Sequence, residues 1–129
     1  MHTEAHRYDG PQAQLTFAII GCAMEVLHGL GAGLLEKPYE NALAVELGRR
    51  GWRYRQQQRF EVIDNSVPVG EYVPDLIVDD AVIVDAKVID QIADVERAQM
   101  LNHLKISQHQ VGLVLNFRRP KLEWERIVL

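Results

Sequence analysis

Apart from the turn residues Asp79 and Asp80, three charged residues interrupt the apolar segment VPDLIVDDAVIVDAK at positions 73–87. They are Asp75, Asp85 and Lys87. The pattern predicts a hairpin of two buried strands, in which an ionised side chain costs several kcal/mol unless it is paired or binds a metal ion. We therefore expect these three charges to have a chemical role.

The register of this hairpin decides whether the charges meet. Side chains alternate between the two faces of a strand, so Asp85 and Lys87 point to the same side, about 6.6 Å apart along the strand. A three-residue loop at 79–81 would place Asp75 directly opposite Asp85, with their Cβ atoms about 5 Å apart. A two-residue loop would shift this pairing by one residue.

Two opposed carboxylates indicate a divalent cation. They repel each other unless a cation lies between them, and oxygen ligands suit Mg²⁺ or Mn²⁺ better than zinc. Lys87 beside them could orient or deprotonate an attacking water and stabilise charge on a phosphate, which is the chemistry of phosphodiester hydrolysis. Pro74 marks a bulge, a distortion or a sheet edge, because proline cannot donate to a β-ladder. On spacing alone, a solvated face with a surface salt bridge between Asp85 and Lys87 is an equally good interpretation.

The apolar periodicity predicts the elements that position this hairpin. A spacing of three and four predicts a helix over residues 12–30 and a second one from Leu35 to Leu47 that ends near Gly51. Shorter periods predict a three-strand meander, and a further helix covers residues 92–106. The strand segments are RFEVID, VPVGEYVPDLIV and AVIVDAKVI, then the buried strand VGLVLNF and the edge strand KLEWERIVL. These elements predict an α/β (α+β) domain with a mixed sheet flanked by helices.

Length and composition fit one globular domain. The 129 residues, 47% of them hydrophobic and 25% charged, suffice for one core. We expect a flexible N-terminal segment at 1–14 and a single domain at 15–129. The single cysteine, Cys22, excludes an internal disulfide and a multi-cysteine zinc site. No apolar run approaches the ~20 residues that span a bilayer, and the N-terminus has no signal-peptide core, so we expect a cytoplasmic protein without membrane contacts.

Half of the ten arginines lie within eleven residues, although the net charge of the chain is -4. On one strand, Arg53, Arg55 and Arg59 would share a face and form a basic stripe able to contact nucleic-acid phosphates. The alternative is a solvated sheet edge balanced by nearby glutamates. The acidic net charge favours that alternative slightly.

Two sequence motifs resemble those of a known enzyme superfamily. The letters PD at 74–75, nine further residues and then DAK at 85–87 resemble the signature of the PD-(D/E)XK nuclease superfamily. The stretch GLLEKPY at 33–39 resembles the motif of the GxxExxY protein family, a small bacterial and archaeal branch of that superfamily. We expect Tyr39 of this motif to pack against the glycine turn and fix it. The likeness covers about residues 15–129 and includes the segments IIGCAMEVLHGLGAGLLE, QMLNHLK and LVLNF.

The resemblance implies a restriction-endonuclease-like αβββαβ core with the active site at the hairpin. It makes Asp75 and Asp85 ligands of Mg²⁺ or Mn²⁺, and Lys87 the catalytic lysine. Glu36 of the motif and Glu25 on the preceding helix are the candidates for a further carboxylate. The alternatives are a solvated surface position for Glu25 and a helix N-terminal role for Glu36.

The helix after the lysine strand carries one more expected site residue. Gln99 matches the glutamine of a Q-x-x-x-Y motif that related nucleases use near the substrate, and His103 stands in place of its tyrosine. Ala32 replaces the usual proline of the glycine turn, Leu27 a frequent histidine and Asp85 the commoner glutamate. These departures concern the substrate contacts more than the metal site.

Two functions therefore compete. The first is a metal-dependent prokaryotic nuclease that hydrolyses nucleic-acid phosphodiester bonds, in DNA rather than RNA, and acts as a homodimer where two strands are cut. The second is a catalytically silent module of the same fold that binds nucleic acid or a protein partner. The substituted helix motif, the acidic net charge and the small size favour the second. We prefer the first, because the PD and DxK motifs are both present on one hairpin.

Overall fold

A mixed sheet with helices on both faces forms the body of the structure, which is a computed structural model describing residues 2–3 and 10–129. The helices are α1 (Ala13–Leu30), α2 (Glu36–Arg49) and α3 (Asp94–Ser107). The strands are β1 (His2–Thr3), β2 (Tyr54–Gln56), β3 (Phe60–Asp64), β4 (Val67–Tyr72), β5 (Leu76–Val78), β6 (Val82–Lys87), β7 (Val111–Asn116) and β8 (Glu123–Val128). The predicted fold class and the three predicted helices are confirmed.

Six strands form the main sheet in the order β1-β8-β7-β6-β5-β2. β6 and β7 are parallel, and the other neighbouring strands are antiparallel. A parallel pair needs a crossover connection, and α3 provides it between β6 and β7. The crossover packs α3 against one face of the sheet.

The alternation of side chains along β6 divides the core into two layers. Val84 and Ala86 pack with α1 and α2 on one face of the sheet. Ile83 packs with residues of α3 on the other face. Asp85 and Lys87 have the same parity as Ile83, so they lie on the α3 face.

The strand predicted over residues 67–78 is divided into two strands. β4 ends at Tyr72 and pairs with β3 in a separate two-stranded sheet, whereas β5 begins at Leu76 and joins the main sheet. Pro74 lies in the break, where its missing N–H cannot continue a ladder. The prediction of one three-strand meander is therefore wrong, and the predicted distortion at Pro74 is confirmed.

β8, the last strand of the chain, has a neighbouring strand on each side along part of its length. β7 is buried along its whole length, as predicted. β8 pairs with β7 on one side, and β1 pairs with Ile127 and Val128 on the other, so the prediction of an edge strand is wrong at these two residues. β1 lies within the segment 1–14 that we expected to be flexible, and the last two residues of that segment belong to α1. Residues 1 and 4–9 lie outside the described part of the chain.

α1 is long and apolar enough to cross a membrane by length and composition alone, with a mean hydropathy of 1.4. This differs from the expectation that no apolar run approaches such a length. The buried face of α1 contributes Ile19, Ala23 and Leu27 to the core cluster that also contains the sheet residues. An apolar helix of this kind is equally typical of the core of a globular domain.

α3 packs closely against β7 at Gly112, where an added Cβ atom would lie 2.4 Å from Sδ of Met100. We expect Gly112→Ala to destabilise the protein by about 1–3 kcal/mol, because the methyl group would overpack this contact. Replacing Met100 by alanine in the same chain should reduce that cost. Urea denaturation of the single and double variants measures both effects.

Gly48→Ala is the matched control for this substitution. Gly48 lies in α2, and an added Cβ atom there would meet nothing within 4 Å. Alanine should therefore raise the free energy of unfolding by roughly 0.5–1 kcal/mol through its helix propensity. Equal effects of the two glycine substitutions would contradict the close approach of α3 to β7.

Candidate active site

The β5–β6 hairpin has the register that sets Asp75 opposite Asp85. Its loop comprises residues 79–81, since Val78 pairs with Val82. The prediction of a three-residue loop is therefore confirmed. Three positions further from the loop, the same register sets Asp75 opposite Asp85. The two carboxylates therefore lie together on the α3 face of the sheet.

Backbone N–H groups hold one oxygen of each carboxylate. The N–H of Asp75 donates to Oδ1 of Asp85 at 3.3 Å, and the N–H of Ala86 donates to Oδ2 of Asp75 at 2.8 Å. Asp85 is buried, with 9% of its surface exposed. The second oxygens, Oδ1 of Asp75 and Oδ2 of Asp85, are left for other partners.

The pair concentrates negative charge where water has little access. Burial and then the charge of Asp85 raise the pKa of Asp75 to about 7, and the charge of Glu40 adds to the effect. In the metal-free protein, burial and the charge of Asp85 therefore oppose the ionisation of Asp75. A divalent cation bound between them would offset this repulsion, which is the physical reason to expect a metal site here.

Lys87 lies at the end of β6, two residues after Asp85 on the same face. Its backbone carbonyl accepts a hydrogen bond from Phe117 at 2.8 Å. The buried Asn116 pairs in register with Lys87 and binds both the N–H and the carbonyl of Ile89, at 3.1 and 2.9 Å, which fixes the chain leaving β6. Within residues 10–129 no hydrogen bond or ion pair engages the Lys87 ammonium, so the alternative of a surface salt bridge to Asp85 is not observed.

The glycine turn before α2 has the structure that its motif predicts. Gly33 has φ of +109°, a conformation that L side chains rarely adopt. The hydroxyl of Tyr39 donates to the carbonyl of Gly31 at 2.6 Å and accepts from the N–H of Leu34 at 3.1 Å. Tyr39 therefore fixes the turn, as predicted.

This turn places the side chain of Glu36 at the end of β6. Oε2 of Glu36 accepts a hydrogen bond from the N–H of Val88 at 3.0 Å, directly after Lys87. The motif glutamate thus holds the backbone that carries the lysine. Among the described contacts, none joins Glu36 to the two aspartates.

A buried glutamate beside the pair was not predicted from the sequence. Glu40, which is 3% exposed, accepts hydrogen bonds from Nε2 of Gln56 at 2.7 Å and from Nε2 of Gln57 at 2.8 Å. The same Nε2 of Gln57 lies 3.4 Å from Oδ1 of Asp75, so one amide links Glu40 to the pair. Burial acts to raise the pKa of Glu40, but hydrogen bonds from Gln56, Gln57 and Lys37 outweigh burial and lower it. Glu40 lies one helical turn after the motif glutamate, a spacing that could have identified it.

Two predicted site residues lie away from the pair. Glu25 is exposed on α1, which covers the opposite face of the sheet, and it lines a groove of about 370 Å³ there with His28 and Pro120. The expectation that Glu25 completes the carboxylate site is therefore wrong. Gln99 is exposed on α3, and in the described part of the chain its side chain makes no hydrogen bond to the site residues of the hairpin. Its contact with a substrate stays a prediction.

α3 instead brings His103 to the pair. Nδ1 of His103 lies 3.7 Å from Oδ2 of Asp85. The imidazole stacks on the ring of Tyr72, with the ring centroids 3.8 Å apart and the planes 15° apart. Tyr72 was not predicted as a site residue, because its position depends on the strand break that follows it.

Two of the three arginines predicted to form a basic stripe share a face of the sheet with Asp75. In the register of β2 against β5, Arg53 and Arg55 face the same side of the sheet as Asp75. Gln57 has φ of 58° and follows the end of β2. Arg59 therefore lies beyond that strand, before β3, and its guanidinium is 3.7 Å from a glutamate of β4. The prediction of three arginines on one strand face is wrong.

The donors at the pair are two carboxylates. In the described part of the chain, no group of three or more His, Cys, Asp or Glu side chains is preassembled for a metal ion. Mg²⁺ and Mn²⁺ fit a two-carboxylate site, because such ions bind through one or two carboxylates and keep several waters. A structural zinc ion, which needs four protein ligands, does not fit.

The model of the PD-(D/E)XK nuclease superfamily matches residues 13–127. No curated protein and no solved structure matches the chain significantly. The matched range contains α1, α2, α3 and the β5–β6 hairpin, so every candidate site residue lies within it.

We expect Asp75→Asn to stabilise the metal-free protein at pH 8. The pKa of Asp75 in the folded protein is about 7, above the value of about 3.9 for an unfolded chain. The folded state therefore binds this proton more tightly, and the resulting stability is complete below about pH 4 and lost as the pH rises through about 7. Each pKa unit corresponds to about 1.4 kcal/mol, and with solvent screening we expect the variant to gain about 1 kcal/mol at pH 8. Denaturation in EDTA from pH 4 to 8 measures the gain.

Asp64→Asn makes the same chemical change at the exposed tip of the β3–β4 hairpin. It should leave the dependence of stability on pH close to that of the wild type. If the difference in unfolding free energy between D75N and the wild type does not grow from pH 4 to pH 8, the electrostatic description of the pair is incorrect.

Proposed function

Because the chain belongs to the PD-(D/E)XK nuclease superfamily, we propose that it hydrolyses nucleic-acid phosphodiester bonds with a Mg²⁺ or Mn²⁺ ion bound by Asp75 and Asp85. The observation that carries this proposal is the cross-strand pair. One oxygen of each carboxylate is held by the backbone, and the other remains available to a cation. When bound, such an ion polarises the phosphate and offsets the charge that develops during hydrolysis.

Lys87 acts beside the pair on the attacking water and the phosphate. Its ammonium lacks a partner in the described part of the chain, so it can donate hydrogen bonds to either group. Its backbone is held by Phe117 on one side, and the next residue is held by Glu36. These contacts restrict the direction in which the lysine side chain leaves the strand, and an accurate direction is what positioning a nucleophile requires.

Glu40 and Gln57 are positioning residues in this proposal. The amide of Gln57 donates to Glu40 and lies within 3.4 Å of Asp75, so it orients the aspartate oxygen that faces the site. Glu40 replaces Glu25 as the further carboxylate near the pair. Its oxygens are already bound by Gln56, Gln57 and Lys37, so it acts through these neighbours.

Arg53 and Arg55 extend the site along the sheet, where they bind the phosphate backbone of a nucleic acid. Both belong to or adjoin the edge strand β2, on the face that carries Asp75. Their side chains lie at the surface, where arginines bind phosphates without reading sequence. We infer DNA as the preferred substrate and two copies of the chain where both strands are cut. The fixed glycine turn with Glu36 and Tyr39 supports the finer assignment to the GxxExxY branch.

A cleavage assay with matched lysine variants tests this function. We expect the wild type to cut DNA oligonucleotides in Mg²⁺ or Mn²⁺ and to be inactive in EDTA. Lys87→Met should lower the rate about 100-fold or more, because a group that positions or deprotonates the nucleophile contributes at least that much. Lys105→Met, which removes an exposed lysine of α3, should leave the rate unchanged.

Single-stranded, double-stranded and RNA oligonucleotides are assayed in parallel. Cleavage that persists in EDTA or in the Lys87→Met variant contradicts the proposal. Metal-independent binding of an oligonucleotide without any cleavage also contradicts it, and would identify the chain as a silent binding module.

A further inference from the structure

We propose that His103 supplies a nitrogen ligand to the metal ion at the Asp75–Asp85 pair and makes the site favour Mn²⁺ over Mg²⁺. This inference rests on the proposed function, because it concerns the same metal site. It goes further by adding a nitrogen donor to a site with two carboxylates. The nitrogen would give the site a preference between metal ions.

The first observation is an unsatisfied nitrogen that faces a carboxylate oxygen. Nδ1 of His103 is buried and has no hydrogen-bond partner in the described part of the chain. It lies 3.7 Å from Oδ2 of Asp85, the oxygen that the backbone leaves unoccupied. Metal–ligand distances of about 2.0–2.2 Å allow two donors of one ion to be up to about 4.4 Å apart. The observed separation is therefore compatible with a shared ion.

The second observation is a buried hydroxyl at the same place. Tyr72 is 7% exposed, and its hydroxyl also lacks a hydrogen-bond partner in the described residues. Burial and then the charges of Asp85 and Asp75 raise the pKa of Tyr72. Buried polar groups without partners are rare in proteins, and a bound ion with its waters would satisfy both the nitrogen of His103 and the hydroxyl of Tyr72.

The position of the imidazole is set by Tyr72 and by the packing of α3 on the sheet. One face of the ring stacks on Tyr72 at a centroid distance of 3.8 Å. The helix that carries it is anchored by Met100 and Leu104, which are both buried against the sheet. His103 is therefore held toward Asp85 without a hydrogen bond of its own. Asp75, Asp85 and His103 do not form a preassembled three-ligand group in the described residues, so metal binding would draw the imidazole and the two carboxylates together.

The chemistry of the donor decides which ion the site prefers. Mg²⁺ binds oxygen and keeps its waters, whereas imidazole is a good ligand for the transition metals. Removing the nitrogen should therefore weaken Mn²⁺ more than Mg²⁺. The competing interpretation is that His103 only orients Asp85 through a hydrogen bond, in which case its loss would weaken both ions alike.

The test combines a spectroscopic and a thermodynamic measurement on the full chain. Electron spin-echo envelope modulation of the Mn²⁺-loaded protein detects a directly bound nitrogen through its ¹⁴N coupling. Isothermal titration gives the affinity for Mn²⁺, and competition with Mn²⁺ gives the affinity for Mg²⁺. The variants are His103→Gln, which replaces the nitrogen by an amide oxygen, and His103→Tyr, which keeps an aromatic ring against Tyr72 if the glutamine variant folds poorly.

His109→Gln is the matched control. His109 also has an Nδ1 without a partner in the described residues, and its Nε2 lies 3.6 Å from Asp80, in the loop of the β5–β6 hairpin. We expect the ¹⁴N coupling in the wild type and in H109Q, and its loss in both His103 variants. The Mn²⁺ affinity should fall about 10-fold in H103Q, while the Mg²⁺ affinity changes less than about 2-fold.

Two results overturn the inference and leave the proposed function intact. One is a wild-type Mn²⁺ site that depends on Asp75 but shows no ¹⁴N coupling. The other is an equal loss of Mn²⁺ and Mg²⁺ affinity in H103Q. If the wild type binds neither ion, the metal site of the proposed function fails, and this inference fails with it.

Discussion

The carboxylates of Asp75 and Asp85 face each other across the β5–β6 hairpin, and their repulsion in a poorly hydrated place is the constraint that shapes this molecule. The backbone offsets part of this repulsion, because one N–H group donates a hydrogen bond to each carboxylate. Lys87 does not offset the remaining repulsion, because it makes no ion pair with either aspartate in this part of the chain. A bound divalent ion is the simplest way to balance the remaining charge, and the proposed hydrolysis would use that ion to offset charge on the phosphate.

The surrounding elements hold this pair in place from three directions. α2 sends Glu36 to the N–H of Val88 and connects Glu40 to Asp75 through one glutamine. β7 fixes the chain beyond Lys87 through the side chain of its last residue. α3 closes the site from the face of the sheet with its histidine. Each contact joins segments that are distant in sequence, so the site forms only when the whole domain has folded.

Much of this could be predicted from the sequence, because it depends on local patterns. The alternation of β6 and the turn at 79–81 determine the register of the aspartates, and the spacing of apolar residues determines the three helices. The division of the strand at Pro74 could be predicted only as a distortion, since periodicity does not say which sheet each half will join. The contacts of Glu40 and His103 depend on tertiary packing between elements. The spacing from Glu36 and the position in the helix motif mark these two residues, but neither pattern says what the side chains contact. The error at Glu25 has the same cause, because only the folded chain reveals which face α1 covers.

Isothermal titration of Mn²⁺ into the wild type and into Asp75→Ala tests the central claim most directly. The account predicts one binding site in the wild type and its loss in the variant, because the pair binds the ion through both aspartates. Asp64→Ala, at the exposed tip of the other hairpin, should bind Mn²⁺ as the wild type does. The claim is contradicted if the wild type binds no Mn²⁺ even with a nucleic-acid fragment present, or if D75A binds it as tightly as the wild type.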